Sequence, residues 1–499
     1  MSIRVQVLSE PLIEYSDGTT GFEPRVDLSR VPVRDFAPTP KQATVIPLGL
    51  VCVEGEQDKV AGFIQKLAGF LHSLESNPER FRDFPGSQRV FQCRFELEPS
   101  FLRTISVMEY ERAAATPDNV RFDEMLNLFA GRVESLFLDS RPGVVLVVLP
   151  DAEGELAIIN PRLSAAESQV LRQKQQEDES QLSLFAPEPD EQKILADLNV
   201  QAEELLYRQF YRALKARCMS AYNAVPIQVL REHTYNEDFA KQSLGTRAWH
   251  LSVALYYKSG HTPWRPHGLP KNSCYIGISF HYLKRRSGDI VYASLAQAFS
   301  NEVEPFILKG AAIPSNQVHN RQPYLTEDQA KGLAHQILQS YRILSGLSPT
   351  RIVLHKTSRY TTSEEAGFKE GFAEIPYVDL VWLVPTGFRL LKTGPEGVWR
   401  GTLCTVGDKD HYLFTTGYVG RWKEYPGPHI PAPLQIGAIG NSNILARARE
   451  ILELTKINWN SSDGLARFPI TLSFARRVGQ IMTEMGEEQQ PNPSYRFYM

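Results

Sequence analysis

The chain has 499 residues, of which 42% are hydrophobic, so it can bury large cores, and two or three domains are expected. A formal net charge of −3 excludes a uniformly basic nucleic-acid binder, so any phosphate-binding surface must come from an uneven distribution of charge. The N-terminus lacks the apolar region of a signal peptide, and no apolar stretch reaches the ~18 residues of a membrane span. Neither secretion nor membrane insertion is therefore expected.

The five cysteines are far apart and form no C-x-x-C pair, which argues against a metal cluster. Free thiols that fill a core are typical of a reducing compartment, so the sequence indicates a cytoplasmic protein. These cysteines are Cys52, Cys93, Cys218, Cys274 and Cys404.

The first half of the chain alternates strand and helix patterns. The run ATVIPLGLVCV predicts a strand, and apolar residues at three-and-four spacing from Val60 to Leu74 predict a helix. A second unit contains the strand pattern FQCRFEL, the helical pattern MLNLFAGRVESLFL and an apolar run at 144–149 that is typical of a buried parallel strand. This alternation predicts an α/β layer fold. The polar, acidic stretch at 165–192 is interpreted as an excursion on the domain surface.

After Ser273, turn signals separate ribbon-like strand patterns such as CYIGISFHYL and IVYASL. A helix is predicted from residue 327 to 344, because Thr326 and Gln329 can form a capping box and Gly346 can end it; the strand RIVLH follows. Two further helices are predicted, at 444–456 and 472–485. Three ribbon strands, a helix and another strand are the order of a ribonuclease-H-like fold, although many α/β domains share it.

Four segments in this order resemble the MID and PIWI domains of an Argonaute. The most specific is LTKINWNSSDGLARFPITLSFARRVG, which is similar to the C-terminal stretch of that family. The resemblance implies a short prokaryotic Argonaute of the α/β class, with a Rossmann-like MID domain followed by a ribonuclease-H-like PIWI domain. We expect an N-terminal extension at 1–45, the MID domain at 46–268 and the PIWI domain at 269–499. The four segments are 211–228, 254–264, 274–280 with 351–357, and 454–479.

By this resemblance, four residues converge on the 5′-phosphate of a nucleic-acid guide. Tyr211 and Lys215 are four apart, which places them on one face of a helix. Gln228 follows in VPIQV, and Lys258 is predicted on the edge of a strand that breaks at Gly260. The resemblance therefore assigns a phosphate site to residues that come from three separate elements.

These residue types suit a terminal phosphate. Two ammonium groups can neutralise its charge of about −2, an amide can donate to it, and an aromatic ring can stack on the first base. Taken alone, Lys215 is more simply a surface lysine of a basic helix. The resemblance further implies that the C-terminal carboxylate of Met499 helps to hold Mg²⁺ beside the phosphate.

The positions of the nuclease carboxylates carry no acid. In text similar to YIGIDF and HRDG the chain has Ser279 and Thr357, and the region of LTKINWN offers Asn458. Hydroxyl and amide groups carry no charge to hold two Mg²⁺ ions, which predicts a catalytically inactive domain and no enzyme activity. The alternative, an active guide-directed endonuclease, requires relocated carboxylates. Candidates are Asp289, Glu302, Glu304 and Asp379.

The resemblance also implies a partner, because inactive short Argonautes typically work with a protein that carries an APAZ domain. Its effector is expected to be a sirtuin-like or TIR domain that degrades NAD, or a nuclease, with the sirtuin-like domain preferred. We expect a heterodimer in which this chain binds a guide, with guide RNA favoured, and pairs it with invading single-stranded DNA. Effector activation would serve antiviral and anti-plasmid defence by abortive infection. A small-molecule α/β enzyme or a scaffold with chance similarity is the third hypothesis.

Overall fold

The structure is a computed structural model, and the acidic stretch at 165–192 lies outside the residues that it describes. The described residues are 2–31, 36, 45–139, 141–150, 156–159, 207–284, 290–301, 304–313, 318–319, 322–427, 430–440, 442–485 and 489–499.

The described chain is built from strands and helices in a mixed α/β arrangement. The strands are β1 Ile3–Val7, β2 Ile13–Glu14, β3 Thr20–Gly21, β4 Val45–Val53, β5 Arg94–Ile105, β6 Val144–Leu149, β7 Ala157–Ile159, β8 Tyr207–Gln209, β9 Ile227–Arg231, β10 Arg265–Pro266, β11 Ser273–Lys284, β12 Ile290–Phe299, β13 Phe306–Ile313, β14 Val318–His319, β15 Gln322–Pro323, β16 Arg351–Lys356, β17 Tyr377–Pro385, β18 Thr402–Val406, β19 Asp410–Leu413 and β20 Leu434–Ala438. The helices are α1 Pro24–Asp27, α2 Gln57–Lys66, α3 Ser87–Val90, α4 Val107–Ala114, α5 Asp118–Asp139, α6 Phe210–Met219, α7 Glu232–Tyr235, α8 Leu244–Lys258, α9 Glu327–Ser345, α10 Thr362–Gly371, α11 Ile444–Leu454 and α12 Ile470–Met482.

The predicted MID domain contains a parallel four-stranded sheet in the order β5, β4, β6, β9. Every residue of β6 is buried, as its unbroken apolar run predicts. Residues of α5 and α6 pack on one face of this sheet, and residues of α2 and α8 pack on the other. The prediction of a Rossmann-like layer is confirmed.

The helix after β4 is shorter than the sequence predicts. α2 ends at Lys66, and the apolar spacing that continues to Leu74 belongs to an irregular segment. There, Leu71 exchanges main-chain hydrogen bonds with Phe84, while Leu74 is 83% exposed. The predicted helix end was wrong because apolar residues at helical spacing also occur in segments whose backbone pairs with a distant residue, and a local pattern does not record that pairing.

The second sheet has nine strands in the order β1, β18, β19, β20, β17, β16, β11, β12, β13. β11, β12 and β13 form the antiparallel ribbon, and β16 and β17 run parallel beside β11. Residues of α9 and α10 cover one face, and residues of α11 and α12 cover the other. This is the predicted ribonuclease-H-like order, and that prediction is confirmed.

Helix α9 begins and ends at the residues that the sequence marks. The Thr326 hydroxyl accepts a hydrogen bond from the Gln329 main-chain N–H, and the Gln329 side chain accepts one from the Thr326 N–H. Gly346 follows the helix with φ of 73°, a left-handed conformation that glycine adopts at little cost. Local side-chain chemistry therefore fixes both ends of this helix.

The segment predicted as an N-terminal extension is part of the protein body. β1 pairs with β18 as the outer strand of the nine-stranded sheet. Arg25 is 1% exposed and forms an ion pair with Asp463 at 2.7 Å, and Glu10 pairs with Arg400 and Lys456. These partners lie far along the sequence, so a local pattern could not reveal them.

Helix α12 starts directly over β11 at Gly277. A Cβ atom at Gly277 would lie 1.9 Å from the main-chain oxygen of Thr471, the second residue of α12. The Thr471 hydroxyl lies 2.9 Å from Nδ1 of the buried His355, which is opposite Gly277 in β16. The missing side chain of Gly277 therefore sets how closely α12 approaches the sheet.

We expect Gly277→Ala to lower the free energy of unfolding by about 3 kcal/mol, because a backbone atom blocks the new methyl group and α12 must shift. Chemical denaturation measures this change. Gly332→Ala, in the middle of α9 where an added Cβ meets no atom within 4 Å, is the matched control and should stabilise the protein slightly. Equal stability of Gly277→Ala and the unchanged protein would contradict the close approach.

Candidate nucleic-acid site

The predicted phosphate-binding residue Lys215 lies on α6, as the sequence indicates, but it is buried. Its side chain is 1% exposed, and its ammonium donates to the main-chain oxygens of Tyr498 at 3.3 Å and Met499 at 2.6 Å. The same ammonium lies 4.9 Å from the ring centroid of Tyr211, one helical turn earlier. The interpretation of Lys215 as an ordinary surface lysine was wrong.

Lys258 is the last residue of α8, and not the edge of a strand as predicted. The helix begins at the Ser243 cap, whose hydroxyl accepts from the Thr246 N–H. Almost every residue of α8 is buried, so the run LSVALYYK is apolar on all sides and shows no helical stripe. The strand prediction failed because a fully buried helix and a buried strand look alike over such a short run.

The structure brings Lys258 and Gln228 together. The Lys258 ammonium donates to Gln228 Oε1 at 2.6 Å and to the main-chain oxygen of Ile227 at 3.0 Å. An ammonium group has three N–H donors. Lys258 and Lys215 each use two of them on acceptors among the described residues, so each retains a donor for a ligand oxygen.

The electrostatics of this site favour an anion. Burial, together with a smaller repulsion from the nearby Arg477 guanidinium, lowers the pKa of Lys215 to about 7. Burial, followed by repulsion from Lys215 and Arg477, holds the pKa of Lys258 well below its ordinary value. In the described part of the chain, no acidic side chain forms an ion pair with either lysine. A phosphate at this position would offset this repulsion and raise the pKa of both lysines.

Arg477 is a site residue that the sequence reasoning missed. It is exposed on α12 and forms no ion pair with any described residue, yet its charge acts on Tyr211, Lys215 and Lys258 together. Its only sequence signal is the double arginine in FARRVG. Because α12 belongs to the second sheet's layer and α6 to the first, the cationic site is built from both predicted domains.

Met499 can be tested as a place for the expected Mg²⁺ ion. The residue is 2% exposed, and its main-chain oxygen faces Lys215. Mg²⁺ is usually held by one or two carboxylates together with phosphate and water oxygens, and the described Met499 oxygen already accepts from the Lys215 ammonium. Among the described residues, no cluster of three His, Cys, Asp or Glu side chains could hold a metal alone. Such an ion would therefore depend on the ligand.

Ser279 and Thr357, the two positions that the resemblance assigns to nuclease carboxylates, lie side by side. Ile278 of β11 pairs in parallel register with Lys356, the last residue of β16, so the next residues are neighbours: Ser279 within β11 and Thr357 directly after β16. The Ser279 hydroxyl is shielded from solvent and has no hydrogen-bond partner among the described residues. The resemblance assigns these two residues to one site, and the structure brings them together.

Asn458 does not join this pair. Its side chain accepts a hydrogen bond from the Asn460 N–H within its own turn. The adjacent Trp459 stacks on Tyr257 at 4.5 Å, and its indole N–H donates to the Trp264 oxygen. In the part of the chain that the structure describes, no hydrogen bond links Asn458 to Ser279 or Thr357.

Two of the four candidate relocated acids are already paired with arginines. Asp379 accepts hydrogen bonds from both Arg351 and Arg447 at 2.8 Å, and Glu450 bridges the same two guanidinium groups. Glu304 forms an ion pair with Arg496 at 3.0 Å. The other two, Asp289 and Glu302, lie outside the described residues.

The five cysteines are buried as free thiols, which confirms their predicted role as core residues. Among the described helices, none combines the length and apolar character that crossing a membrane requires.

Comparison with known proteins identifies the fold. No family model and no curated protein matches the chain. Argonaute structures do match, including that of Clostridium butyricum bound to a guide DNA and a 19-mer target DNA, with a TM-score of 0.63 and 14% identity over 98% of this chain. Aquifex aeolicus Argonaute matches with a TM-score of 0.55 and 14% identity over 98% of the chain, and Aa-Ago with externally bound siRNA with 0.57 and 13% over 99%.

The chain covers 54% of the Clostridium butyricum protein, 54% of the Aquifex aeolicus protein and 56% of the siRNA-bound one. It therefore spans about half the length of the structures that it matches. At this level of identity the likeness establishes architecture. The chain has an Argonaute fold, with a Rossmann-like MID domain joined to a ribonuclease-H-like PIWI domain.

Proposed function

We propose that this chain binds a 5′-phosphorylated guide and uses it to recognise a complementary nucleic acid. The observation that carries the proposal is the pair of buried lysines, Lys215 and Lys258, with Arg477 beside them. Burying like charges close together is costly, and a site that does so is a candidate for binding an anion. Gln228 supplies an amide at the same place, and Tyr211 supplies a ring.

The guide and target are proposed from the resemblance and the fold. The Argonaute from Clostridium butyricum was solved with a guide DNA and a target DNA. For this chain we propose guide RNA and a single-stranded DNA target, with base pairing reading the sequence while the protein holds the backbone. Because Ser279 and Thr357 are uncharged, we also propose that the chain does not cut its target. From the resemblance we propose that an APAZ-domain partner, preferably with a sirtuin-like effector, acts with this chain in cytoplasmic defence against phage and plasmids.

We further propose Mg²⁺ beside the guide phosphate, held by the terminal oxygens of Met499. The ion would supply positive charge that lets a carboxylate and a phosphate approach each other. Binding of a phosphorylated guide should then weaken when EDTA is added, while binding of a 5′-hydroxyl guide should not.

Nucleic acid that co-purifies with the protein tests the proposed function. The strands should accept a 5′ label from polynucleotide kinase only after phosphatase treatment, because their 5′ ends carry phosphate. A defined length would support guide loading. Recovery of no nucleic acid, together with no binding of synthetic 5′-phosphorylated RNA or DNA, would favour the small-molecule enzyme or scaffold hypothesis.

The affinity for a phosphorylated guide should depend on pH. Since the pKa of Lys215 in the free protein is about 7 and that of Lys258 is also lowered, binding above pH 7 requires proton uptake, and affinity should fall by up to about tenfold per pH unit for each proton taken up. Below about pH 6 the phosphate itself loses charge, so affinity should be highest between about pH 6 and 7. A guide with a 5′-hydroxyl should show a flatter profile. Identical profiles for the two guides would contradict the assignment.

A further inference from the structure

The outer strand of the nine-stranded sheet presents apolar side chains to solvent. Every residue of β1 is exposed, and the odd-numbered ones, Ile3, Val5 and Val7, are 64%, 52% and 58% exposed. These three side chains lie on one face of the sheet, because side chains alternate along a strand. Natural edge strands usually carry charges, prolines or bulges that prevent further pairing, and these three positions carry none of them. The edge is therefore suited to pairing with another strand.

The main-chain groups on the outer edge of β1 belong to the same three residues. At the two ends of the β1–β18 ladder, the Gly407 N–H donates to the Ser2 oxygen at 2.8 Å, and the Leu8 N–H donates to the Gly401 oxygen at 2.9 Å. Residues of an antiparallel strand alternate between bonding to the neighbouring strand and facing away from it. Since Ser2 and Leu8 bond on the β18 side, the odd-numbered residues between them direct their N–H and C=O groups outward. Among the described residues, no strand pairs with this edge.

The order of residues in β1 fits a second copy of the same strand. When two β1 strands run antiparallel with their Val5 residues opposite each other, Ile3 of each copy lies opposite Val7 of the other, so apolar side chains meet apolar side chains. On the other face Arg4 lies opposite Gln6, so no like charges oppose each other. All three apolar pairs belong to the outward-facing set, and each pair can therefore exchange two main-chain hydrogen bonds. A two-fold axis at Val5 satisfies the main chain and the side chains together.

We propose that two copies of this chain associate through β1, which joins their nine-stranded sheets edge to edge. A second copy is the occupant of this edge because β1 is complementary to itself in hydrogen bonding, in apolar side chains and in charge. A symmetric contact of this kind uses the same surface on both copies and therefore closes as a dimer. The contact involves a short strand on each side, so the dimer is expected to be weak and reversible. It does not depend on guide binding.

Sedimentation of the full chain over a range of protein concentrations tests this association. The unchanged protein should shift from monomer towards dimer as its concentration rises. Val5→Pro should weaken the dimer about tenfold or more, because it removes one outward N–H from each copy and leaves the hydrogen bonds to β18 in place. Val5→Lys should also weaken it, because two lysines would then face each other. Leu74→Lys is the matched control, since it changes another exposed apolar side chain, away from β1, and should leave the association unchanged.

A gain of affinity and a residue-level readout complete the test. Gln6→Glu places a carboxylate opposite Arg4 of the other copy and should strengthen the dimer about fivefold. In hydrogen exchange, the main-chain amides of Ile3, Val5 and Val7 should become protected only at high protein concentration, whereas those of Arg4 and Gln6 should be protected at every concentration. A chain that stays monomeric throughout, or a dimer that Val5→Pro leaves unchanged, would overturn the inference. Protection of the outward amides by an added partner protein, and not by a second copy, would also overturn it and assign the edge to that partner.

Discussion

Replacing Lys258 by methionine is expected to weaken binding of a 5′-phosphorylated guide by about 10- to 150-fold, with little effect on a 5′-hydroxyl guide. Methionine retains most of the side-chain length, so the loss reports the charge-assisted contact, worth about 1.5–3 kcal/mol. Lys215→Met should lose a similar amount. In each single variant the loss of guide affinity is reduced because the remaining lysine no longer faces a like charge. The double variant should therefore lose more affinity than the product of the two single fold losses.

Equilibrium binding with labelled guides that differ only at the 5′ end measures these effects. Lys66→Met is the control, because Lys66 is an exposed lysine of the same domain that pairs with Glu237 at 2.8 Å. Thermal melting of each variant shows whether it is folded. If folded Lys258→Met protein loses equal affinity for both guides, the assignment of the 5′-phosphate to this site is wrong.

The second large effect is an absence of cleavage. We expect the chain, loaded with guide, to leave matched DNA and RNA targets uncut in Mg²⁺ or Mn²⁺, because the neighbouring Ser279 and Thr357 cannot hold the metal ions of a two-metal mechanism. Ser279→Asp with Thr357→Asp should restore at most trace cutting. Two carboxylates supply two anchors, but Asn458 bonds within its own turn and contributes none.

Cleavage that follows the unchanged protein through a size-exclusion peak would show that the inactive reading is wrong. Asp289 and Glu302 would then be the first acids to replace. Asp379 and Glu304 would come later, since arginines already neutralise them. Replacing Asp379 would also leave Arg351 and Arg447 partly unpaired at a half-buried site, so its stability must be measured alongside its activity.

Several features followed from local sequence alone. The capping box of Thr326 and Gln329 and the left-handed Gly346 fixed α9 at nearly the predicted residues. The unbroken apolar run gave the buried strand β6, and the four-residue spacing placed Tyr211 and Lys215 on one helix. In each case the deciding contacts lie within a few residues of chain, so the pattern contains the information.

Other features required the packed structure. Lys258 lies on helix α8, which is buried on all sides and therefore shows no helical stripe in the sequence. Helix α2 ends at Lys66, and the segment after it holds Leu71, which pairs with the distant Phe84. β1 is the outer strand of the nine-stranded sheet, where it pairs with β18, which lies far along the chain. Pairing between distant segments leaves no local periodic trace, so sequence reasoning could not have placed these elements.

The sequence by itself determined the residue types of the candidate site, and it places uncharged residues, Ser279 and Thr357, where the resemblance expects nuclease carboxylates. Only the tertiary structure decided that Lys215 is buried against the main-chain oxygen of Met499 and that Arg477 joins the site from α12. Burial and charge repulsion depend on distances between side chains that are far apart in the sequence. Those distances, set by the packing of the two domains, give these lysines the lowered pKa values on which the proposed phosphate site rests.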